Sequence, residues 1–113
     1  MTDCVFCRIS RGELPATFVY QDDAIMAFHD ISPLAPTHIL IVPRQHILNT
    51  TEVNEQNAPL LGKMVQVAAQ VARDQNVEAS GYRLIMNTGA NGGQVVMHLH
   101  MHLLGGRRLG RLG

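Results

Sequence analysis

Between residues 54 and 76 the apolar positions recur at helical steps. Leu60, Leu61, Met64, Val65, Ala68, Val71 and Ala72 fall on one side of a 3.6-residue period. The spacing predicts a long helix over about 54–76, with Asn54 as N-cap and Pro59 near the first turns, where a missing N–H costs least. Elsewhere the apolar runs are short. Residues 16–21 (ATFVYQ) and 24–30 (AIMAFHD) read as strands turned at Asp22-Asp23, and 31–36 (ISPLAP), with Pro33 and Pro36, as a loop. HILIV, 38–42, is apolar nearly throughout, as a strand buried on both faces would be. Residues 82–88 (YRLIMNT) and 97–104 (MHLHMHLL) complete five strands, joined by the glycine-rich GANGG. A short N-terminal helix is expected over 4–12, stopped by Gly12 and Pro15, and a short flexible tail from about 107. The order predicts an α+β fold in one domain, 1–113: a five-stranded antiparallel sheet covered on one side by the long helix.

Composition narrows the class. Apolar residues make up 46% of 113 positions, enough for a packed core. No apolar run approaches the ~20 residues of a membrane span, and the N-terminus lacks a charged-then-apolar leader, so no membrane partner and a cytoplasmic location are expected. Nine Lys+Arg balance nine Asp+Glu, which argues against a nucleic-acid partner; any phosphate must be held by local geometry. The two cysteines, Cys4 and Cys7, have the C-x-x-C spacing that suits metal or redox chemistry. A redox motif would follow a strand, and the sequence ahead of Cys4 offers none.

His98, His100 and His102 alternate with Leu99, Met101 and Leu103. On a straight strand the outer two stand ~13 Å apart, too far for three imidazoles to share one ion. They can instead line a groove with a middle imidazole flanked by two others. Imidazole is largely neutral at pH 7 yet nucleophilic, and a neighbouring histidine can serve a leaving group. Upstream, Gly89, Gly92 and Gly93 let backbone N–H groups approach an anion. The pattern reads as a phosphate-transfer site.

FCRISRGELP, FHDISPLAPTHILIVPRQHI, GYRLIMNTG and GGQVVMHLHMHLLGGR, in this order and spacing, resemble the histidine-triad (HIT) family in its Hint branch of nucleoside phosphoramidases. The resemblance implies a homodimer whose two sheets join into ten strands. It also implies hydrolysis at the α-phosphorus of purine nucleotides, on P–N bonds of adenosine phosphoramidates and on aminoacyl-adenylates, releasing AMP. His100 would attack to form a nucleotidyl-histidine, with His98 orienting it, His102 at the phosphate or leaving group, and His38 in support. Asn87, Gly93 and Gln94, with the backbone at Val95 and Val96, would frame the phosphate. Asp30 would hold the ribose hydroxyls, and Val5, Phe6, Ile9, Leu14, Phe28 and Ile31 the base. No cofactor is implied for catalysis. Some bacterial relatives pair the C-x-x-C with two histidines, which here would be His46 and His98, giving a structural zinc site with Cys4 and Cys7.

Val95 stands where many relatives carry Ser; losing one donor is worth on the order of 1 kcal/mol, so an altered substrate preference is expected. Two other readings stay open, a dinucleoside polyphosphate hydrolase and a non-catalytic nucleotide-binding protein.

Overall fold

The computed structural model describes residues 4–113; residues 1–3 of the expected domain lie outside the described residues. Thr37–Pro43, β3, is the central strand of the sheet, buried along nearly its whole length as its apolar sequence requires. Ahead of it come α1 (Val5–Ser10), β1 (Phe18–Gln21) and β2 (Ile25–His29); after it come α2 (Ala58–Asp74), β4 (Tyr82–Ile85) and β5 (Met101–Gly105). The strands pair antiparallel in the order β1-β2-β3-β5-β4, so five strands and two helices form the predicted α+β architecture.

The two-residue period sorts the sheet into two faces. Ile25, Ala27, Ile39, Ile41, Met101 and Leu103 meet Met64, Val67, Ala68, Val71 and Ala72 of α2 in the larger core. Met26, Phe28, Leu40 and Val42 point the other way and pack beneath Phe6 and Ile9 of α1. The second face is therefore partly roofed by the N-terminal helix, where the sequence pattern suggested cover on one side only.

Strand β1 starts at Phe18 rather than 16 and α2 ends at Asp74 rather than 76; three further boundaries depart from the sequence reading for a hydrogen-bonding reason. Helix α2 begins at Ala58 with Asn57 rather than Asn54 as N-cap residue. Asn57 makes no side-chain cap bond; instead Asn54 and Asn57 form a turn in which each side-chain oxygen accepts the other's backbone N–H (3.0 and 2.8 Å), and the Ala58 N–H donates to the Asn54 carbonyl, so this turn leads into the helix. Strand β5 begins at Met101, not at 97, because its partner β3 ends at Pro43, which has no N–H to donate. The Leu99 N–H turns to the Ile47 carbonyl, and β4 stops at Ile85 opposite His102. Of the three alternating histidines only His102 lies on a strand. The tail beyond Gly106 has no regular structure, yet Arg83 donates to the Gly110 carbonyl and Arg107 to the Leu34 carbonyl.

Candidate active site and metal centre

On the face shared with α1, Val5, Phe6, Ile9, Phe28, Leu40 and Val96 line a cleft of about 580 Å³ that reaches Asp30 and Ile31 at one end. Six of these eight belong to the predicted base slot or ribose site, and Val96 to the predicted phosphate frame. Leu14, expected in the slot, instead packs against the core beneath it. Ile31 is 99% exposed and forms a rim rather than a wall. Pro15, Ala16, Thr17, His29 and Leu40 also line the cleft and were not foreseen. Leu40 had a signal, since it follows His38 by two on β3 and so shares its face. The others meet the cleft through the β1–β2 pairing, which no local pattern encodes.

The hydrogen bonds around each histidine assign its neutral tautomer. Nδ1 of His100 lies 2.7 Å from the His98 carbonyl, which can only accept, so Nδ1 carries the proton and Nε2 keeps a lone pair. The Phe6 ring meets His100 edge-on, centroids 5.1 Å apart, and joins the imidazole to the cleft wall. Nδ1 of buried His38 accepts the Leu34 N–H (3.0 Å), which places its proton on Nε2. That nitrogen faces Nδ1 of His102 at 2.9 Å and the Asp30 carboxylate at 3.4 Å. His102 thus accepts at Nδ1 and retains a proton on Nε2, with its ring 5.0 Å from that of His100. Burial lowers the pKa of His38 and carries that of His102 down to about 4, so both stay neutral. A neutral imidazole with a free lone pair, beside one with an N–H to donate, is the arrangement nucleophilic transfer requires.

The predicted phosphate frame is assembled but largely engaged with itself. Gln94 is buried; its amide donates to the Leu48 and Val96 carbonyls, and its oxygen accepts from Asn49 Nδ2 and the Gly89 N–H. Its backbone N–H donates to the Gly89 carbonyl. Asn87 donates to the Gly92 carbonyl (2.6 Å). These two side chains brace the glycine turn. Val95 projects outward, 86% exposed.

Behind the triad, Cys4, Cys7, His46 and His98 bring four donor atoms within 4.8 Å of one another. Cys4 Sγ lies 3.2 Å from Nδ1 of His98, and Cys7 Sγ 3.4 Å from Nδ1 of His46 and 3.7 Å from that of His98. A tetrahedral zinc with ordinary bond lengths separates sulfur from nitrogen by ~3.6 Å, close to these separations, so the donor set suits zinc. The fully buried His98 donates Nε2–H to the Pro43 carbonyl (2.8 Å), which leaves Nδ1 bare toward the thiols. Burial holds His98 neutral, its pKa lowered to about 4, and with neighbouring Cys4 raises the Cys7 thiol; a bound cation would reverse the latter. His98 therefore faces the cysteines with its ring and His100 with its carbonyl. Sequence spacing on a straight strand could not show that division.

Comparisons with known proteins show the family of the chain. The HIT domain family matches residues 11–109. The chain is 52% identical over 108 residues to the purine nucleoside phosphoramidase of Escherichia coli K12, covering 96% of this chain and 91% of that protein. Its structure superposes on a HIT family hydrolase from Clostridium thermocellum with a TM-score of 0.96 at 48% identity, covering 98% and 96% of the two chains. A HIT family hydrolase from Legionella pneumophila gives 0.92 at 46%, covering 94% and 95%.

Proposed function

This chain belongs to the HIT family and is a hydrolase, and we propose that its reaction is cleavage of the P–N bond at the α-phosphorus of purine nucleoside phosphoramidates. The observation that carries the reading is the hydrogen-bond geometry of the triad, which assigns a lone pair to Nε2 of His100 and a proton to Nε2 of His102 beside it. The named activity of the Escherichia coli relative supports the substrate class.

In the proposed sequence the base lies between Phe6, Ile9 and Phe28, and the Asp30 carboxylate accepts from the ribose hydroxyls. Nε2 of His100 bonds to the α-phosphorus as the P–N bond breaks, and the nitrogen departs as a free amine with the proton it brought into the site. The Nε2–H of His102 donates to the phosphoryl oxygens or the leaving nitrogen. Water then bonds to phosphorus and releases a proton to solvent, and His100 leaves with its lone pair restored. The products are AMP, or the corresponding purine nucleotide, and the amine. Gln94 and Asn87 act by holding the turn that carries Gly93 and the backbone of Val95 and Val96.

The reading includes one zinc on Cys4, Cys7, His46 and His98, structural in role, with no cofactor taking part in the reaction. It includes a homodimer joined through β4, an edge strand whose four residues are all half-buried. A cytoplasmic location without nucleic-acid or membrane partners goes with it; formal net charge is zero, and no described helix is long and apolar enough to cross a membrane.

The deciding experiment is intact-mass spectrometry of the protein mixed rapidly with adenosine 5′-phosphoramidate. A nucleotidyl adduct mapping to His100 is expected. Turnover with the adduct on another residue, or hydrolysis unchanged in His100→Ala, ends the proposal. A dinucleoside polyphosphate cleaved faster than the phosphoramidate would move the chain to the other hydrolase class.

A further inference from the structure

The tail residue Arg107 reaches back across the molecule to loop 31–36. Its Nη2 donates to the Leu34 carbonyl (2.9 Å) and its Nη1 to the carbonyl of Arg108 (2.9 Å), so the guanidinium joins loop to tail. No ion pair engages Arg107 among the described residues. Leu34 is the residue whose N–H donates to Nδ1 of His38, and His38 in turn donates from Nε2 to His102. A continuous chain of hydrogen bonds therefore runs from Arg107, through the two polar groups of the Leu34 backbone, to the imidazole that flanks His100.

The loop needs such an anchor. Ile31 and Leu34 both project into solvent, and of residues 31–36 only Ala35 is buried, so the packing that fixes this stretch is confined to one small side chain. Its ties are backbone bonds: the Ser32 N–H to Asp30, the Leu34 N–H to His38, and Arg107 to the Leu34 carbonyl. Gly106 makes the last of these reachable. It adopts φ +91°, and a Cβ there would stand 2.9 Å from the Pro36 side chain, so only glycine lets the chain pass this close to the loop.

We propose that Arg107 is a positioning residue for the hydrolytic site, holding the Leu34 backbone so that His38, and through it His102, each keep the proton on Nε2. The consequence follows from proton counting. If the Leu34 N–H swings away, nothing bars a proton from His38 Nδ1 and only the Asp30 carboxylate, 3.4 Å from Nε2, still favours the original form, so a fraction of His38 takes its proton on Nδ1. His38 Nε2 then has only a lone pair to offer His102, which must protonate Nδ1 to keep the contact and gives up its donor at Nε2. The His102 nitrogen that should donate to phosphate or leaving group then repels it.

The inference rests on the proposed reaction only for its kinetic arm; tautomers can be read without turnover. Long-range proton–nitrogen NMR on ¹⁵N-histidine-labelled protein distinguishes bare from protonated ring nitrogens. Wild type is expected to show His38 and His102 protonated on Nε2. Arg107→Ala is expected to mix both tautomers at these two residues and leave His100 unchanged. With adenosine 5′-phosphoramidate, kcat should fall by roughly three- to tenfold, the scale of one net hydrogen bond, with KM within about twofold. Arg107→Lys, which can still donate to the Leu34 carbonyl, should recover much of both signals, and Arg108→Ala should match wild type. Unaltered His38 and His102 tautomers in Arg107→Ala would overturn the inference, whatever the rate. If wild type fails to hydrolyse the phosphoramidate but the tautomers shift as described, the positioning stands and the proposed reaction falls.

Discussion

The backbone carbonyl of His98 accepts a hydrogen bond from Nδ1 of His100 at 2.7 Å, while the His98 ring turns away to the cysteine pair. One residue thereby sets the tautomer of the candidate nucleophile with its main chain and completes the Cys4–Cys7–His46–His98 group with its side chain.

Replacing His100 with Ala removes the nucleophilic lone pair but leaves the apolar cleft intact. Turnover should fall by on the order of 10³-fold or more, while AMP affinity measured by calorimetry changes little. A comparable loss of AMP binding would mean that the ring holds nucleotide rather than reacting with it.

Gln94→Ala leaves two carbonyls, an Asn49 amide and the Gly89 N–H without their partner in a buried setting. A stability loss of about 1–3 kcal/mol is expected in urea unfolding, with a raised KM as the glycine turn loosens. Gln94→Glu should be worse than Ala, because an ionised carboxylate cannot donate to Leu48 and Val96.

Metal content tests the Cys4–Cys7–His46–His98 cluster directly. Protein purified without chelator should carry about one equivalent of zinc, and Cys7→Ser should lose most of it and melt at lower temperature. Less than a tenth of an equivalent in wild type, with melting insensitive to chelator, removes the site.

Acid should destabilise the apoprotein through His38, His98 and His102. All three have folded pKa values below the ordinary 6.5, His98 and His102 at about 4, so the unfolded chain binds more protons between these limits. Stability is full above about pH 6.5 and is lost as pH falls toward 4. Tm measured across this range should drop with falling pH, and His102→Gln should flatten the dependence.

Asp22 ties the β1–β2 turn to α2, accepting from Tyr20, Lys63 and the backbone N–H groups of Ala24 and Ile25, and these partners hold its carboxyl well below the usual carboxylate range. Its contribution is present above about pH 4 and lost below it. Asp22→Ala should lower Tm at neutral pH, and the gap between variant and wild type should narrow in acid.

What the sequence alone determined was periodic or local. The two-residue alternation placed Met101 and Leu103 in the core opposite His102, and the helical period chose Met64, Ala68, Val71 and Ala72 on the buried side of α2, though Val65, expected with them, is exposed and Val67, not expected, is buried. The C-x-x-C spacing, the glycine run and the alternating imidazoles marked the candidate site, because donor type and short-range spacing are properties of the chain itself. Only the tertiary structure decided which way each imidazole faces. His98 and His100 lie outside β5 because Pro43 cannot continue the ladder, and their rings are then oriented by carbonyls of Pro43 and His98. Gln94 is drawn into the interior by Leu48 and Asn49, and His38 takes its tautomer from Leu34. A hydrogen bond between residues distant in sequence depends on where the fold leaves a donor without a partner, and no pattern of residue types records that.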